Sequence, residues 1–503
     1  MDHKHIIKDK IVKTPKSSKY KSALGLVTLA QIKQVERHAK DQGMSELELI
    51  ERAGIGIAEF IIENFERSPI VFLCGGGANG SDGFVAASRL ERLGWDVTLY
   101  CTKQKVMLSG VVGEAAQHWK GDVATLSEII LNDGDIVVDA VLGNGMNKPL
   151  TSEINETFNA VRQKDVTVIA VDVPTGLNCK NLTVDPCILK ADYTVTTTRT
   201  RIEHVLQPGA QYCGKIHVAD IGISLGAFTG MNITAHINAP ELWQHFWSVP
   251  DSYTHKYKRG HVGVLGGVEL TGAARLAVSA AMRAGAGLGS IATTKEAAKL
   301  YQSIVAPEVM VRGFDSEQEA TALMQQRSVS VCLIGPGADR EGGLDMQRLA
   351  ELCKAEDMQI VLDGDALGTV PLKLATIITP HEGEFLRLFP HLADIHNKLE
   401  KTKRAAAEAN CIVVLKGMDT IIASPDGRAY INNKASPWLS TAGSGDVLAG
   451  AVAGCLAQKI PPFEAACSAV WMHGYASLTL GPGMVASELP KALASGLSVI
   501  YDL

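Results

Sequence analysis

The ten cysteines of this 503-residue chain form no CxxC pair and fall at no metal-ligand spacing. A zinc-ribbon or dithiol redox motif is therefore excluded, and scattered thiols of this kind suit a reducing compartment. Aromatic residues are scarce, at 5%. No apolar run approaches the roughly 20 residues that a membrane helix needs. Excess positive charge is missing too: the net charge is −6, which argues against general binding to nucleic acid or to an anionic membrane surface. The chain also lacks the Gly-Lys-Ser/Thr of a Walker loop. Its first 21 residues hold seven lysines but no arginine and no apolar core. Such a stretch is neither a secretory signal nor an arginine-rich transit peptide, and a basic tail is expected through residue 25. The expected address is the cytoplasm.

What is present is apolar content of 46%, charged content of 20% and 48 glycines, the composition of an α/β protein rich in tight loops. The length calls for more than one core. Continuous apolar runs at 70–74, 97–100, 135–142 and 166–173 alternate with helical patterns at 29–40, 46–64 and 83–93. Strands of this kind, buried on both faces, make a parallel sheet. A second series follows residue 240, with strands at 262–265, 329–334, 360–363, 375–379 and 411–415 and a hairpin over 420–432 turning at Ser424-Pro425-Asp426-Gly427. The expected division is a tail over 1–25, one α/β domain over 26–235 and another over 236–503.

The richest chemistry lies at Ser440-Thr441-Ala442-Gly443-Ser444-Gly445-Asp446, just before the apolar helical run 447–456. Glycines opening a helix offer free N–H groups and the positive end of its dipole, which hold a phosphate. A carboxylate beside such a cradle repels the anion. Asp446 is therefore either a helix cap or a base that takes a proton from a hydroxyl attacking phosphorus. Other polar clusters also follow strands: Gly335-Pro336-Gly337, Thr379-Pro380-His381-Glu382-Gly383-Glu384 and Lys416-Gly417-Met418-Asp419-Thr420. In parallel sheets such loops gather at one edge, where ligands bind. His381 reads as a loop histidine or a ligand contact, and Lys416 suits a phosphate. Glu384 suits a magnesium ion reached through water. His473 and Trp471, on an apolar helix, read as core.

The first half repeats this logic. Gly75, Gly77 and Gly80 make G-x-G-x-x-G after a strand. The next strand ends in Tyr100-Cys101-Thr102 without the acidic residue a dinucleotide-binding dehydrogenase needs, so that reading weakens. Asp172 emerges at a strand end as an acid/base or as a turn cap. Asn79, Asp139 and Thr175 are hard oxygen ligands that suit an alkali or alkaline-earth cation rather than zinc.

GGGANGSDG, VDAVLGNGMNKP and VDVPTG, in this order, resemble the NAD(P)H-hydrate epimerase domain over residues 26–230. The resemblance implies a Rossmann-like three-layer α/β/α fold. It implies that Ala78, Asn79, Gly80, Ser81, Asp82, Gly143, Asn144, Gly145, Met146, Asn147, Lys148 and Pro149 hold a hydrated nicotinamide dinucleotide. Asp172 is then the acid/base, and Asn79, Asp139 and Thr175 the potassium site. The chain carries Ala78 and Ser81 where the family has Asn and Gly, and Thr175 where Ser is usual.

TPHEGE, KGMDT and AGSGDVLAG resemble the ribokinase-like fold, and within it the ADP-dependent NAD(P)H-hydrate dehydratase, over residues 240–500. By motif position Ala273, Gly337, His381 and Asp446 would contact the hydrate. Lys416, Gly417, Met418, Asp419, Thr420, Gly443, Ser444 and Gly445 would hold the adenine nucleotide. The two domains in this order resemble the bifunctional repair enzymes that act on NADH-hydrate and NADPH-hydrate with ADP and magnesium. No membrane or nucleic-acid partner is implied, and a homo-oligomer is expected. The rival expectation is a ribokinase-like small-molecule kinase with a non-catalytic ligand-binding N-terminal domain.

Overall fold

The computed structural model describes residues 24–146, 148–338 and 344–502. Of the expected tail only its last two positions fall among them, and Asn147 lies outside them. Two sheets organise the chain.

The first has seven strands, all parallel, in the order Lys215–Ala219, Tyr193–Thr197, Thr167–Val171, Ile136–Ala140, Ile70–Cys74, Val97–Cys101, Ala124–Thr125. Successive side chains of a strand point to opposite faces, and the cores divide accordingly. Ile70, Phe72, Cys74 and Val138 pack with Ile57, Phe84 and Leu90 of the helices Glu46–Asn64 and Ala78–Arg92. Val71, Leu73 and Val137 pack on the other side with Phe158 and Val161 of Ser152–Arg162. The result is the expected three-layer α/β/α arrangement. Helix starts follow local capping: Ser45 accepts from the Glu48 amide, and Thr151 from that of Ile154.

The second sheet has eleven strands. Seven run parallel, from Ile412–Leu415 through Ile377–Ile378, Gln359–Leu362, Val331–Ile334, His261–Leu265 and Leu288–Thr294 to Val309–Phe314. The last two were not expected as strands. The hairpin Thr420–Ala423 with Ala429–Asn432 adds on at one side, as the SPDG turn predicts. Beyond it Ala235–Ile237 pairs parallel to Ala429–Asn432, and Gly25–Leu26 pairs antiparallel to Ala235–Ile237. The expected boundary at 235/236 thus runs through a strand, and residues 25–26 belong to the second sheet although the first sheet follows them in sequence. Val27 then bridges to Arg201, so this segment stitches the two halves together.

One face of the second sheet carries the helices Thr271–Arg283 and Ser444–Ala457. They cross closely because small residues meet: a Cβ on Gly450 would fall 2.0 Å from the Ala277 carbonyl oxygen, and one on Gly454 2.3 Å from that of Ala281. This contact fixes the position of the Gly443–Asp446 turn above the strand ends. His473 is buried as expected, and Trp471 packs partly buried against the same core.

Candidate active sites

The first candidate site lies beyond the C-terminal ends of Ile70–Cys74, Ile136–Ala140 and Thr167–Val171. A Cβ on Gly75 would fall 1.9 Å from the Val141 oxygen, and one on Gly80 1.8 Å from the Gly75 oxygen. Only glycine lets the chain fold back this tightly. Gly77, by contrast, faces open space. The helix expected from residue 83 starts at Ala78. Ala78, Asn79, Gly80, Ser81 and Asp82 are therefore its opening turns, and the N–H groups that head the helix have no partner within it. The Ser81 side chain turns inward, its hydroxyl donating to the Gly77 carbonyl at 3.2 Å.

Asn79 Nδ2 donates to the Val171 carbonyl at 3.1 Å, which turns Oδ1 toward Gly143. A Cβ there would lie 3.0 Å from Asn79 Oδ1 and 3.1 Å from Asp172 Oδ2. Asn79, Gly143 and Asp172 thus converge on one spot. Asp139 is fully buried and accepts from the Thr175 amide (2.8 Å), Thr175 Oγ1 (2.7 Å) and the Val141 amide (3.3 Å). Burial pushes its carboxyl up to about 6. Thr175 Oγ1 also lies 3.0 Å from the Leu142 carbonyl oxygen. The same oxygen accepts from the Leu142 amide at 2.8 Å, so its single proton serves either the Asp139 carboxylate or the Leu142 carbonyl, and the oxygen left unserved suits a cation. Asp82 is pushed up by burial, then by the Asp172 and Glu36 carboxylates.

Of the second loop, Gly143 lines this spot, with Asn144 and Gly145 beside it in sequence. Met146 packs instead against the core beneath, and Lys148 and Pro149 are exposed. Two residues at this site went unnoticed in the sequence. Arg201 Nη2 sits 2.9 Å from Asp172 Oδ1, and His204 Nε2 2.8 Å from the Asp172 carbonyl oxygen. Charged residues clustered just past a strand, in R-T-R-I-E-H, were their only signal.

The second candidate site lies beyond the ends of Val331–Ile334, Gln359–Leu362, Ile377–Ile378 and Ile412–Leu415, and Lys416 is its hub. Lys416 Nζ is 2.9 Å from Asp363 Oδ1 and 3.8 Å from Glu384 Oε2. A Cβ on Gly445 would lie 3.4 Å from the same nitrogen. Burial opposes the ammonium, but Asp363, Glu384 and Asp446 outweigh it and hold Lys416 above its ordinary range. Asp446 is pushed up to about 6 by burial and by Asp363, with Lys416 opposing. Gly443, at φ 88°, caps the helix Ser444–Ala457, so Ser444, Gly445 and Asp446 form its first turn.

His381 caps the helix Glu382–Leu388. Its Nδ1 accepts from the Gly383 (3.0 Å) and Glu384 (3.3 Å) amides, which places the ring proton on Nε2, 3.5 Å from Glu384 Oε1, and Glu384 Oε2 accepts from the His381 amide at 2.7 Å. Ala273 and Gly337 abut: a Cβ on Gly337 would lie 3.0 Å from that of Ala273 and 2.4 Å from the Leu270 oxygen.

Part of the expected nucleotide loop is committed elsewhere. Met418 points to solvent. Asp419 is buried, with Oδ1 2.6 Å from Lys398 Nζ and Oδ2 accepting from the Gln207 amide of the other half at 2.8 Å. Thr420 Oγ1 closes the turn on Gly417. Ser444 is tied down too, its amide donating to the Thr441 carbonyl at 3.3 Å and its hydroxyl to that of Leu439 at 2.8 Å, whereas Lys416, Gly417, Gly443 and Gly445 remain on the open side. Asp363, buried and held also by Thr379 Oγ1 at 2.7 Å, was missed. Its position at a strand end, like those of Asp139 and Asp172, was the available signal.

A family model described as NAD(P)H-hydrate dehydratase matches residues 262–497, and one described as YjeF-related protein N-terminus matches 46–201. A bifunctional NAD(P)H-hydrate repair enzyme of Archaeoglobus fulgidus is 32% identical over 481 residues, covering 90% of this chain and 95% of its own. That of Moorella thermoacetica is 31% identical, covering 90% and 91%, and that of Escherichia coli is 27% identical, covering 92% of each. Among solved structures, an ADP/ATP-dependent NAD(P)H-hydrate dehydratase from Bacillus subtilis, co-crystallised with ATP/Mg2+, is 27% identical. It covers 52% of this chain and 98% of its own, with a TM-score of 0.45. Since both family models match in the expected order and relatives above 30% identity align over nine-tenths of the chain, it belongs to the family of bifunctional NAD(P)H-hydrate repair enzymes.

Proposed function

We propose that the chain repairs NADH and NADPH that have taken up water across C5–C6 of the reduced nicotinamide. The first half interconverts the R and S hydrates, and the second dehydrates the S form. The observation that carries the reading is the Asp446 carboxyl. It is half-buried and raised to about 6, it lies in the first turn of a helix at the positive end of its dipole, and it has the Lys416 cation beside it.

In this reading Asp446 takes the proton of the hydrate's hydroxyl, whose oxygen bonds to the terminal phosphorus of the nucleotide. The bond from that phosphorus to its bridging oxygen breaks, so ADP leaves AMP. The phosphate ester then loses phosphate from C6 and a proton from C5, and the ring double bond returns. The amides of Gly443 and Gly445 and the Lys416 ammonium take up charge on the transferred group. A magnesium ion reached from Glu384 through water would screen the nucleotide. Ala273, Gly337 and the exposed imidazole of His381 would border the nicotinamide.

In the first half Asp172 acts as acid/base beside Asn79 and Gly143. A potassium ion would be held by the oxygens of Asn79, Asp139 and Thr175, a hard donor set that suits an alkali cation. The deciding experiment feeds mixed R and S hydrates with ADP, then with ATP, and follows recovery of reduced-nicotinamide absorbance. Full recovery with release of phosphate is expected. A stable phosphorylated product with no recovery would make the chain a kinase instead.

A further inference from the structure

Asp172 takes a left-handed backbone, with φ 65°, at the end of the strand Thr167–Val171. L side chains avoid that region, so surrounding contacts must hold it there. The turn is pinned on both sides: Asp172 N–H donates to the Val195 carbonyl at 2.8 Å, and Val173 N–H to that of Val171 at 2.8 Å. The Asp172 carbonyl accepts from His204 Nε2 at 2.8 Å and from Arg201 Nη2 at 3.4 Å. Its carboxylate is divided between two tasks. Oδ1 lies 2.9 Å from Arg201 Nη2, whereas Oδ2 faces Gly143 and Asn79.

Arg201 is 1% exposed and cannot reach a ligand itself. Glu203 Oε1, 3.0 Å from Arg201 Nε, sets a second carboxylate against the far side of the guanidinium. The Arg201 amide donates to His204 Nδ1 at 3.1 Å, so the imidazole proton sits on Nε2. Burial and then the Arg201 cation push His204 down to about 3, which keeps it a neutral donor to Asp172 at any working pH.

We propose that Arg201, oriented by Glu203 and His204, is a positioning residue for epimerisation, neutralising Asp172 Oδ1 so that Oδ2 alone exchanges a proton with the hydrate. The proposal rests on the acid/base reading of Asp172. A guanidinium suits the task because its fork fixes direction as well as charge.

The test uses the full chain with potassium and pure R-hydrate. Nucleotide is omitted so that dehydration is silent, and S-hydrate formation is followed chromatographically. Arg201→Gln should lower kcat about 100-fold with KM within threefold of wild type, while dehydration of S-hydrate by the same preparation stays normal. Arg201→Lys should recover about tenfold of the loss. A kcat for Arg201→Gln within threefold of wild type, or no recovery in Arg201→Lys, overturns the proposal. If Arg201→Gln loses dehydration as well, Arg201→Lys decides: a lowered kcat at unchanged KM supports the role, and wild-type kcat refutes it. Asp172→Asn serves as the reference arm. Wild-type epimerisation there would remove the acid/base reading itself, whereas an inactive Asp172→Asn beside a normal Arg201→Gln would remove only the positioning role.

Discussion

With Asp446 as the proposed base, a carboxyl raised to about 6 should give dehydration a pH dependence that an ordinary aspartate would not. With that value about 90% of Asp446 is ionised at pH 7 and about 10% at pH 5, so kcat/KM should fall about tenfold between them. An aspartate at its usual value would lose only about 6% over the same interval. Titration of the nucleotide's own phosphates is separated by a second perturbation. Asp363→Asn removes the carboxylate that, after burial, raises Asp446, and it frees Lys416 to pull the other way. The acid limb should therefore move to lower pH in Asp363→Asn, whereas a limb due to the nucleotide would stay where it was. The assay is recovery of reduced nicotinamide from pure S-hydrate at saturating nucleotide and constant ionic strength, from pH 4.5 to 8. Asp446→Asn should lower the rate about 100- to 1,000-fold with nucleotide binding retained. A wild-type profile flat to pH 5, or a limb that does not move in Asp363→Asn, would refute the reasoning.

Other outcomes follow from contacts already described. Gly450→Ala drives a methyl into the Ala277 carbonyl and should cost about 1–3 kcal/mol, read from the urea midpoint; an unchanged midpoint would mean that the two helices can part freely. Added potassium should raise Tm in the wild type more than lithium does, and Asp139→Asn should lose the difference, since a cation bound only by the folded chain stabilises it. Asp419→Ala leaves Lys398 without its anion and the Gln207 amide without an acceptor. It should cost about 3 kcal/mol in chemical denaturation, and full retention of stability would show that this seam carries no load.

Much of the site was legible because strand ends are. The apolar runs that stop at Cys74, Ala140, Val171 and Leu415 are buried central strands, and the glycines and carboxylates that follow them can only emerge at one sheet edge. The glycine loop was misread at its far end: Ala78 to Asp82 look like loop because Gly80 sits among them and glycines flank them at 77 and 83, yet Gly77 starts the helix before them. Asp363 was overlooked because it completes an apolar strand and its partners, Lys416 and Thr379, come from distant segments. Arg201 and His204 were hidden for the same reason. Asp419 reads as a ligand contact from its loop, and only the packing of the two halves reveals that Lys398 and Gln207 claim it.

The pairing of Gly25–Leu26 with Ala235–Ile237, itself laid against Ala429–Asn432, has a consequence for how the molecule is made. Residues 25–26 are synthesised well before residues 235–237, and the strand Ala429–Asn432, which joins that pair to the rest of its sheet, is made later still. The front unit can condense early around its own sheet, but its leading end must wait for the rear unit before it is tied down. Cutting the gene at the midpoint would separate these partners and leave an open β-edge on the rear fragment, the kind of surface that recruits stray strands.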